Sequence, residues 1–349
     1  MKPPRVPAIL LVCVAAWLIG WVTWRSAPAG FDFIAIYASA RLVATGNPAA
    51  VTDREAIFAV ERATLPERTI FLNNANPPAL SLILAPIGAL PFHVAYAVML
   101  TLGVAALAAA ALLVAPLVAP EQRMRLFPFA LLAPPSTIAL AHGQTTPIML
   151  LVIAASLRAP PAASGALLGL LALRPQLLPL FALIALADRE RRVPFLLVAG
   201  AVSLVSLLMV GPDGAVRYLD LLAPQAAELR PGELGLAALL RRAGVGAADG
   251  ALGNIALSTV AVLAAAVLIL RTPAGQRMVR AMPAALLAAP HSLLHDAVAV
   301  YPAVAARALT TRATVVLIGT GLVAVLVHEA GIPVAPLWLL ALLFLRRGS

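Results

Sequence analysis

Residues 94–118 read VAYAVMLTLGVAALAAAALLVAPLV, without one charged side chain. A helix rises 1.5 Å per residue and the hydrocarbon core of a bilayer is ~30 Å thick, so roughly 20 apolar residues cross it. This stretch meets that condition with residues to spare, and it sets the class of the fold. Working outward, further apolar runs lie at 8–24, 77–92, 127–141, 143–157, 163–187, 194–211, 252–270, 281–306, 313–327 and 333–345. The run 281–306 is interrupted by Pro290-His291-Ser292-Leu293-Leu294-His295-Asp296 and reads as two half-spans. The expectation is an all-α, polytopic transmembrane helix bundle of about 10–12 spans. Residues 1–349 form one integral membrane domain, with short amphipathic helices in the first long outer loop.

Composition agrees. Of 349 residues, 62% are apolar and 11% charged, and mean hydropathy is +0.97. A soluble domain carries roughly 45–50% apolar and about 25% charged residues, so soluble, disordered and disulfide-scaffold classes are excluded. A membrane barrel would alternate polar and apolar residues, which these runs do not. Thirty prolines would break up a soluble helical protein, whereas in a membrane bundle neighbouring helices and cavities satisfy the freed backbone groups.

The net charge of +10 is not a nucleic-acid footprint, because the basic residues sit in short loops between apolar runs. Arg189, Arg191 and Arg192 form one such loop; Arg271, Arg277 and Arg280 a second; Arg307 with Arg312 and Arg346 with Arg347 complete the set. With Lys2 and Arg5 they read as cytoplasmic by the excess of positive charge on that side. The long polar stretches 25–76 and 212–251 then fall outside. The Ala/Arg-rich, Lys-poor composition suits a GC-rich bacterium, so the expected location is a bacterial inner membrane with the working face toward the periplasm. Cys13, the only cysteine, lies in the first run, which leaves no disulfide and no thiolate metal site. That run is read as a retained anchor.

Polar groups within such a chain are costly and mark candidate function. Asp32 follows Gly30 and opens a short helix that carries Arg41. Its place at the water–lipid boundary suits a base with a pKa raised by desolvation, and equally a helix N-cap. Asn76, before Pro77-Pro78, fits a helix start. The turn His142-Gly143-Gln144 lies between two runs of 15 residues, each about 22 Å long; it reads as a plain polar turn or a sugar-hydroxyl site. If every run crosses fully, it falls on the cytoplasmic side. Arg174, in Leu173-Arg174-Pro175-Gln176 at mid-span, needs a counter-charge, from a nearby acid or from a phosphate oxygen. His291 and His295 are four apart and would share a helix face, a spacing that also suits zinc, but no third ligand is evident.

Taken in order, these clusters resemble the bacterial polyprenol-phosphate-mannose-dependent alpha-(1→2)-mannosyltransferase-like family of GT-C membrane glycosyltransferases. The resemblance rests on Asp32-Phe33, Ala40-Arg41-Leu42, Gly46-Asn47-Pro48, Asn76-Pro77-Pro78 and Leu90-Pro91-Phe92. It continues through Gly143-Gln144, Gly169-Leu170-Leu171, Arg174-Pro175-Gln176 and Pro290-His291 with His295-Asp296. The chain departs from the family pattern where Asn76 stands for Tyr, Arg174 for Lys and His295 for Tyr.

The resemblance implies an enzyme that moves a sugar, mannose in that family, from a polyprenyl-phosphate donor to the hydroxyl of a glycolipid or glycan acceptor, with inversion. Asp32 is then the catalytic base. Arg41, Arg174, Gln176, Gln144, His142, His291, His295, Asp296 and Asn76 bind the donor phosphate or substrate. No metal and no cofactor is implied, since the leaving group is already a phosphate monoester held by cations. Two other readings share the substrate chemistry: a lipid-linked sugar transporter or flippase, and a glycan ligase. Broken helices with mid-membrane charges also describe transporters, but there is no inverted hydropathy repeat.

Overall fold

The computed structural model describes residues 32–303, apart from 68, 119, 121–122, 124–125, 127–129, 132, 228–232 and 247–249. The runs at 8–24, 313–327 and 333–345, Cys13, and the basic residues at both chain ends lie outside the described residues. Among the described residues every regular element is helical, and the chain is an all-α membrane protein.

The first loop folds as α1 (Phe33–Ala44), a 3-10 turn (Pro48–Thr52) and α2 (Arg54–Thr64). Asp53 caps α2, accepting from the Glu55 and Ala56 amides at 2.9 and 3.1 Å. α2 is amphipathic, burying Ile57 and Glu61 while Arg54 and Glu55 face outward. α1 does not lie on the membrane surface with one apolar face down. Nine of its twelve residues are buried. Its sequence is apolar all round, and such a helix goes to the core.

The run 77–92 is not a span. It forms α3 (Pro78–Ile83) and α4 (Ala85–Gly88), two short helices that meet at Leu84. α5 (Phe92–Val114) is long enough to cross and continues as a 3-10 turn to Leu117. α6 (Pro134–Ala141) and α7 (Thr146–Arg158) flank the His142–Gln144 turn. The run 163–187 splits into α8 (Pro161–Gly169), a 3-10 turn (Leu170–Leu173) and α9 (Leu178–Ala187). The break falls at Arg174, whose φ/ψ of −140/78 leaves the helical region because Pro175 follows it.

α10 (Arg189–Ala227) is interrupted at Gly211, where φ 68 and ψ 179 turn the chain before Pro212. That conformation is open to glycine and costly for other residues. α11 (Leu236–Arg242), α12 (Gly250–Leu270) and α13 (Ala274–Ala288) follow, and the chain then bends at Pro290 into a 3-10 turn, Leu294–Val300. The break expected inside 281–306 is therefore present.

Among the described residues, three helical stretches are long and apolar enough to cross a membrane: Phe92–Leu117, Arg189–Pro224 and Gly250–Leu270. The expectation that each apolar run is one continuous span is corrected. Hydropathy counts apolar residues and is blind to breaks, and here Pro, Gly and polar turns divide the runs into pieces. Leu196, Leu197, Leu204 and Leu208 on α10, and Leu252 and Leu263 on α12, stay exposed. Apolar faces of that extent suit contact with lipid rather than water.

The helices share two ends. Phe33 meets Phe92 at the start of α5, with ring centroids 5.8 Å apart. The Ala79 amide donates to Ser206 Oγ of α10 at 3.1 Å, and Tyr218 donates to Ala75 O at 2.8 Å. Asn254 at the start of α12 donates to Pro290 O at 2.9 Å. From this end α5, α7, α9 and α12 lead away, and α8, the first part of α10 and α13 return. The turns around Arg158, Asp188–Arg192 and Arg271–Arg277 collect at the far end, where Gly165 abuts the backbone of Arg191.

Candidate active site

Asp32 sits just before α1, at its N-cap position, yet makes no side-chain cap. Its Oδ2 instead lies 2.8 Å from His142 Nδ1 and accepts from Gln144 Nε2 at 2.8 Å. The N-cap reading of Asp32 is thus replaced by a contact across 110 residues of chain. His142 and Gln144 reach Asp32 because Gly143 between them takes φ +65, and a Cβ there would come within 2.7 Å of Phe33 Cβ. Only glycine combines that backbone turn with that proximity.

These contacts also settle the level of the turn. Asp32 and His142 touch, so they lie at the same end of the molecule, and the three runs between them cannot all cross. α3 and α4, of six and four residues, are too short to cross.

Burial pushes the Asp32 pKa up, but the hydrogen bond and charge of His142, with the Gln144 hydrogen bond, outweigh it and hold the carboxyl down at about 2. The expectation of a raised pKa is corrected: desolvation acts in the anticipated direction but loses to the partners. With the carboxylate ionised, His142 Nδ1 carries the proton of this bond. Among the described residues, Oδ1 of Asp32 accepts no hydrogen bond.

Arg174, 4% exposed, is fully engaged. Nε and Nη2 donate to Asp296 Oδ1 at 3.0 and 2.5 Å, and Nη1 donates to Thr145 Oγ1 at 3.1 Å and to Gln144 Oε1 at 3.5 Å. Nη2 also lies 3.2 Å from His295 Nε2. A guanidinium only donates, so that imidazole nitrogen accepts and His295 is neutral. Asp296 is completed by Thr146 Oγ1 at 3.3 Å and the Leu293 amide at 2.9 Å. Of the two counter-charges the sequence offered for Arg174, a nearby acid and a phosphate oxygen, the structure supplies the acid, Asp296. Gln144 connects the two networks, its amide nitrogen on Asp32 and its carbonyl toward Arg174.

His291 does not share a face with His295. The segment before Leu294 is extended rather than helical, so the i, i+4 argument does not apply. His291 Nδ1 lies 2.8 Å from Glu233 Oε1, while His295 belongs to the Arg174 network. Glu233 is 1% exposed, and its Oε2 has no hydrogen-bond partner among the described residues. Glu233 falls in the polar stretch 212–251, where the sequence does not single it out. The signal was slight: a lone acid before Leu234-Gly235. Gly235 packs where a Cβ would meet Ala289 O at 2.7 Å, and the Leu234 amide donates to Ser292 O at 2.8 Å.

Arg41 is not brought into the site. Its Nη1 donates to the carbonyls of Gly88 and Ala89 at 3.2 and 3.1 Å, at the end of α4. The remaining groups converge. Asp32, Asn76, Gln144, Arg174, His291 and Asp296 all face one polar cavity, which Gln176 and His295 also line. Asn76 is oriented by Asn74 Oδ1, which accepts from its side-chain nitrogen at 2.8 Å.

Two further cavities adjoin this one. An apolar groove of about 540 Å³ runs between α9, the end of α10, α12 and α13, lined by residues such as Leu180, Leu219, Leu222, Ile255, Val262 and Ala285. It shares Ala75, Gln176 and His291 with the polar cavity. A cleft of about 780 Å³ lies on the other side and shares Leu72 and Asn73 with it. The polar cavity is thus the middle of three, with Asp32 within it and His291 at the mouth of the apolar groove. Among the described residues no group of three or more His, Cys, Asp or Glu is arranged to hold a metal ion.

No curated protein and no solved structure matches the chain. The family model described as Glycosyltransferase family 87 matches residues 74–294, more than half of the chain and the part that carries Asn76, His142, Gln144, Arg174, Gln176, Glu233 and His291. The chain belongs to glycosyltransferase family 87.

Proposed function

We propose that the chain is a GT-C-type enzyme that transfers a sugar, mannose by the family resemblance, from polyprenyl phosphate to an acceptor hydroxyl at the periplasmic face of a bacterial inner membrane. The observation that carries this reading is the continuity of an apolar groove with a polar cavity that holds a half-buried carboxylate, one of whose oxygens accepts no hydrogen bond among the described residues. A polyprenyl-phosphate-sugar has the same division: an apolar chain, a phosphate at the junction, and a sugar beyond it.

In this reading the polyprenyl chain lies in the groove and the phosphate sits at His291 and Gln176, where groove and cavity meet. Gln176 there offers its side-chain amide N–H to the charge that builds up on the departing phosphate, and Glu233 orients the His291 ring beside it. The sugar occupies the polar cavity with its anomeric carbon between His291 and Asp32. The acceptor oxygen approaches from the Asp32 side, its proton passes to Asp32 Oδ1, the bond to carbon forms, and polyprenyl phosphate leaves from the opposite face with inversion. A carboxylate held at about 2 is a weak base. It suffices when the hydroxyl gives up its proton late, as its oxygen bonds to an electron-poor anomeric carbon. Arg174 is a positioning residue: it holds Gln144, which holds Asp32. The reaction needs no metal or cofactor, since the donor already carries an activated phosphate leaving group. Partners are the lipid-linked donor, a glycan or glycolipid acceptor, and membrane lipid.

The test is turnover of labelled polyprenyl-phosphate-mannose by purified protein in lipid. Asp32→Asn keeps shape and loses basicity, so the rate should fall by at least about 10²-fold, the lower end of what general base catalysis supplies. A variant with more than half the wild-type rate would remove Asp32 from the chemistry. Movement of intact donor across the bilayer with no sugar transfer would favour a flippase instead.

A further inference from the structure

We infer that the cleft of about 780 Å³ beside Asn73 is the acceptor subsite, and that its ligand is the neutral, hydroxyl-rich end of a glycan. The inference rests on the reading of Asp32 as the base, and it names the class of acceptor. The cleft is walled by the Pro48–Thr52 turn, the segment Thr69–Asn73 and the second part of α10, with Arg54, Phe71, Arg217 and Asp220 among its residues. Its volume falls within the roughly 300–1,000 Å³ of small-ligand sites. It joins the polar cavity at Leu72 and Asn73, on the side away from the lipid groove, which shares no residue with it. Inversion requires nucleophile and leaving group on opposite faces of the anomeric carbon. A donor phosphate at His291 therefore leaves the Asn73 side for the acceptor.

The polar atoms of the cleft select the ligand's chemistry. Asn73 commits its amide nitrogen to Leu221 O, and its Oδ1 is buried with no partner among the described residues. Thr52 Oγ1, on a residue 2% exposed, is likewise without a partner. Asp220 makes no ion pair with Arg217 or Arg54 among the described residues. A carboxylate and an amide carbonyl only accept hydrogen bonds, so they call for a ligand that donates them. Sugar hydroxyls donate; phosphate, sulfate and carboxylate groups do not. Arg217 supplies the donor that the same hydroxyls need for their lone pairs. Arg54 is stacked on Phe71, 4.9 Å from the ring centroid, and is already occupied. Ile70 and Leu221 offer the apolar surface that the C–H face of a sugar covers.

The experiment uses purified full-length protein in nanodiscs without donor, and reads binding of linear mannose, glucose and galactose trisaccharides by saturation-transfer NMR. Wild type should bind at least one of them. Combined Arg217→Ala and Asp220→Ala should weaken that binding at least about tenfold, as expected for loss of hydrogen bonds to charged groups. Asp220→Glu should restore part of it, which a merely structural loss would not. No binding by wild type, equal binding by the double variant, or preference for a phosphorylated trisaccharide would overturn the assignment. Because no donor is present, failure of the polyprenyl-phosphate reading would leave this binding intact. In turnover assays the same pair should raise the acceptor KM by about tenfold or more while the donor KM moves by less than about threefold.

Discussion

At the scale of single residues, the site is governed by which carboxylate meets which cation. Asp296 is 1% exposed and carries its charge because Arg174 lies against it. Removing one partner of a buried pair strands the other, at a cost of about 3–5 kcal/mol. Arg174→Gln should therefore lower the thermal midpoint in detergent and slow turnover together. Arg174→Lys keeps the charge but lacks the fork that reaches Asp296, Thr145 and Gln144 at once, so it should recover only part of either. Intact stability with Gln at 174 would show that Asp296 finds its stabilisation elsewhere. Asp32 makes a pH prediction. Its carboxyl is lowered from 3.8 to about 2 in the folded chain. A group with a depressed folded pKa contributes stability that is present above the unfolded value and lost as pH falls through the folded one. Between about pH 4 and pH 2 the protein should lose stability through this residue, and Asp32→Asn should flatten that part of the profile. Parallel profiles for both proteins would contradict the lowered value.

At the scale of elements, helix breaks place the chemistry. Pro175 ends the helical path so that Arg174 leaves it, and the side chain turns to Asp296 instead of pointing along a span. Gly143 lets α6 and α7 meet in a turn tight enough to set His142 and Gln144 on one carboxylate oxygen. Gly143→Ala should be severe for two reasons: a left-handed φ that costs a non-glycine residue about 1–3 kcal/mol, and a Cβ driven into Phe33. The expected outcome is a lower melting midpoint and a loss of turnover comparable to that of Asp32→Asn. A fully active Gly143→Ala enzyme would mean that the turn is not needed to hold Asp32.

At the scale of the whole molecule, two sets of turns stand at opposite ends of the bundle. One carries Asp32, Asn73–Asn76, His142–Gln144 and the segment after Pro290. The other carries Arg158, Asp188–Arg192 and Arg271–Arg277. Positive charge concentrated at one end predicts that this end faces the cytoplasm. In a Cys13→Ala background, cysteines at the exposed positions Ala49 and Asp213 should react with an impermeant thiol reagent in intact cells, and cysteines at Glu190 and Ala274 should not. Glu233, despite its place in a polar loop, is buried and unsuited to such labelling. The reverse pattern would put the cavity on the cytoplasmic side.

Composition and hydropathy determined the class, because burial in lipid demands apolar helices whatever their arrangement. Arg174-Pro175 and the interruption after Pro290 were legible as breaks, because proline acts through local covalent geometry. Most of the residues that face the central cavity were legible too, as polar groups that an apolar chain would not carry without cause. Partnership was not legible. Asp32 with His142, Arg174 with Asp296 and Glu233 with His291 join residues 110, 122 and 58 positions apart. Nothing local encodes such a separation; it follows from the order in which helices lead out and back. The same holds for Asp32's low pKa and for the diversion of Arg41 to the end of α4. In each case the identity of the residue was written in the chain, and its charge state and role were decided by what the fold packed beside it.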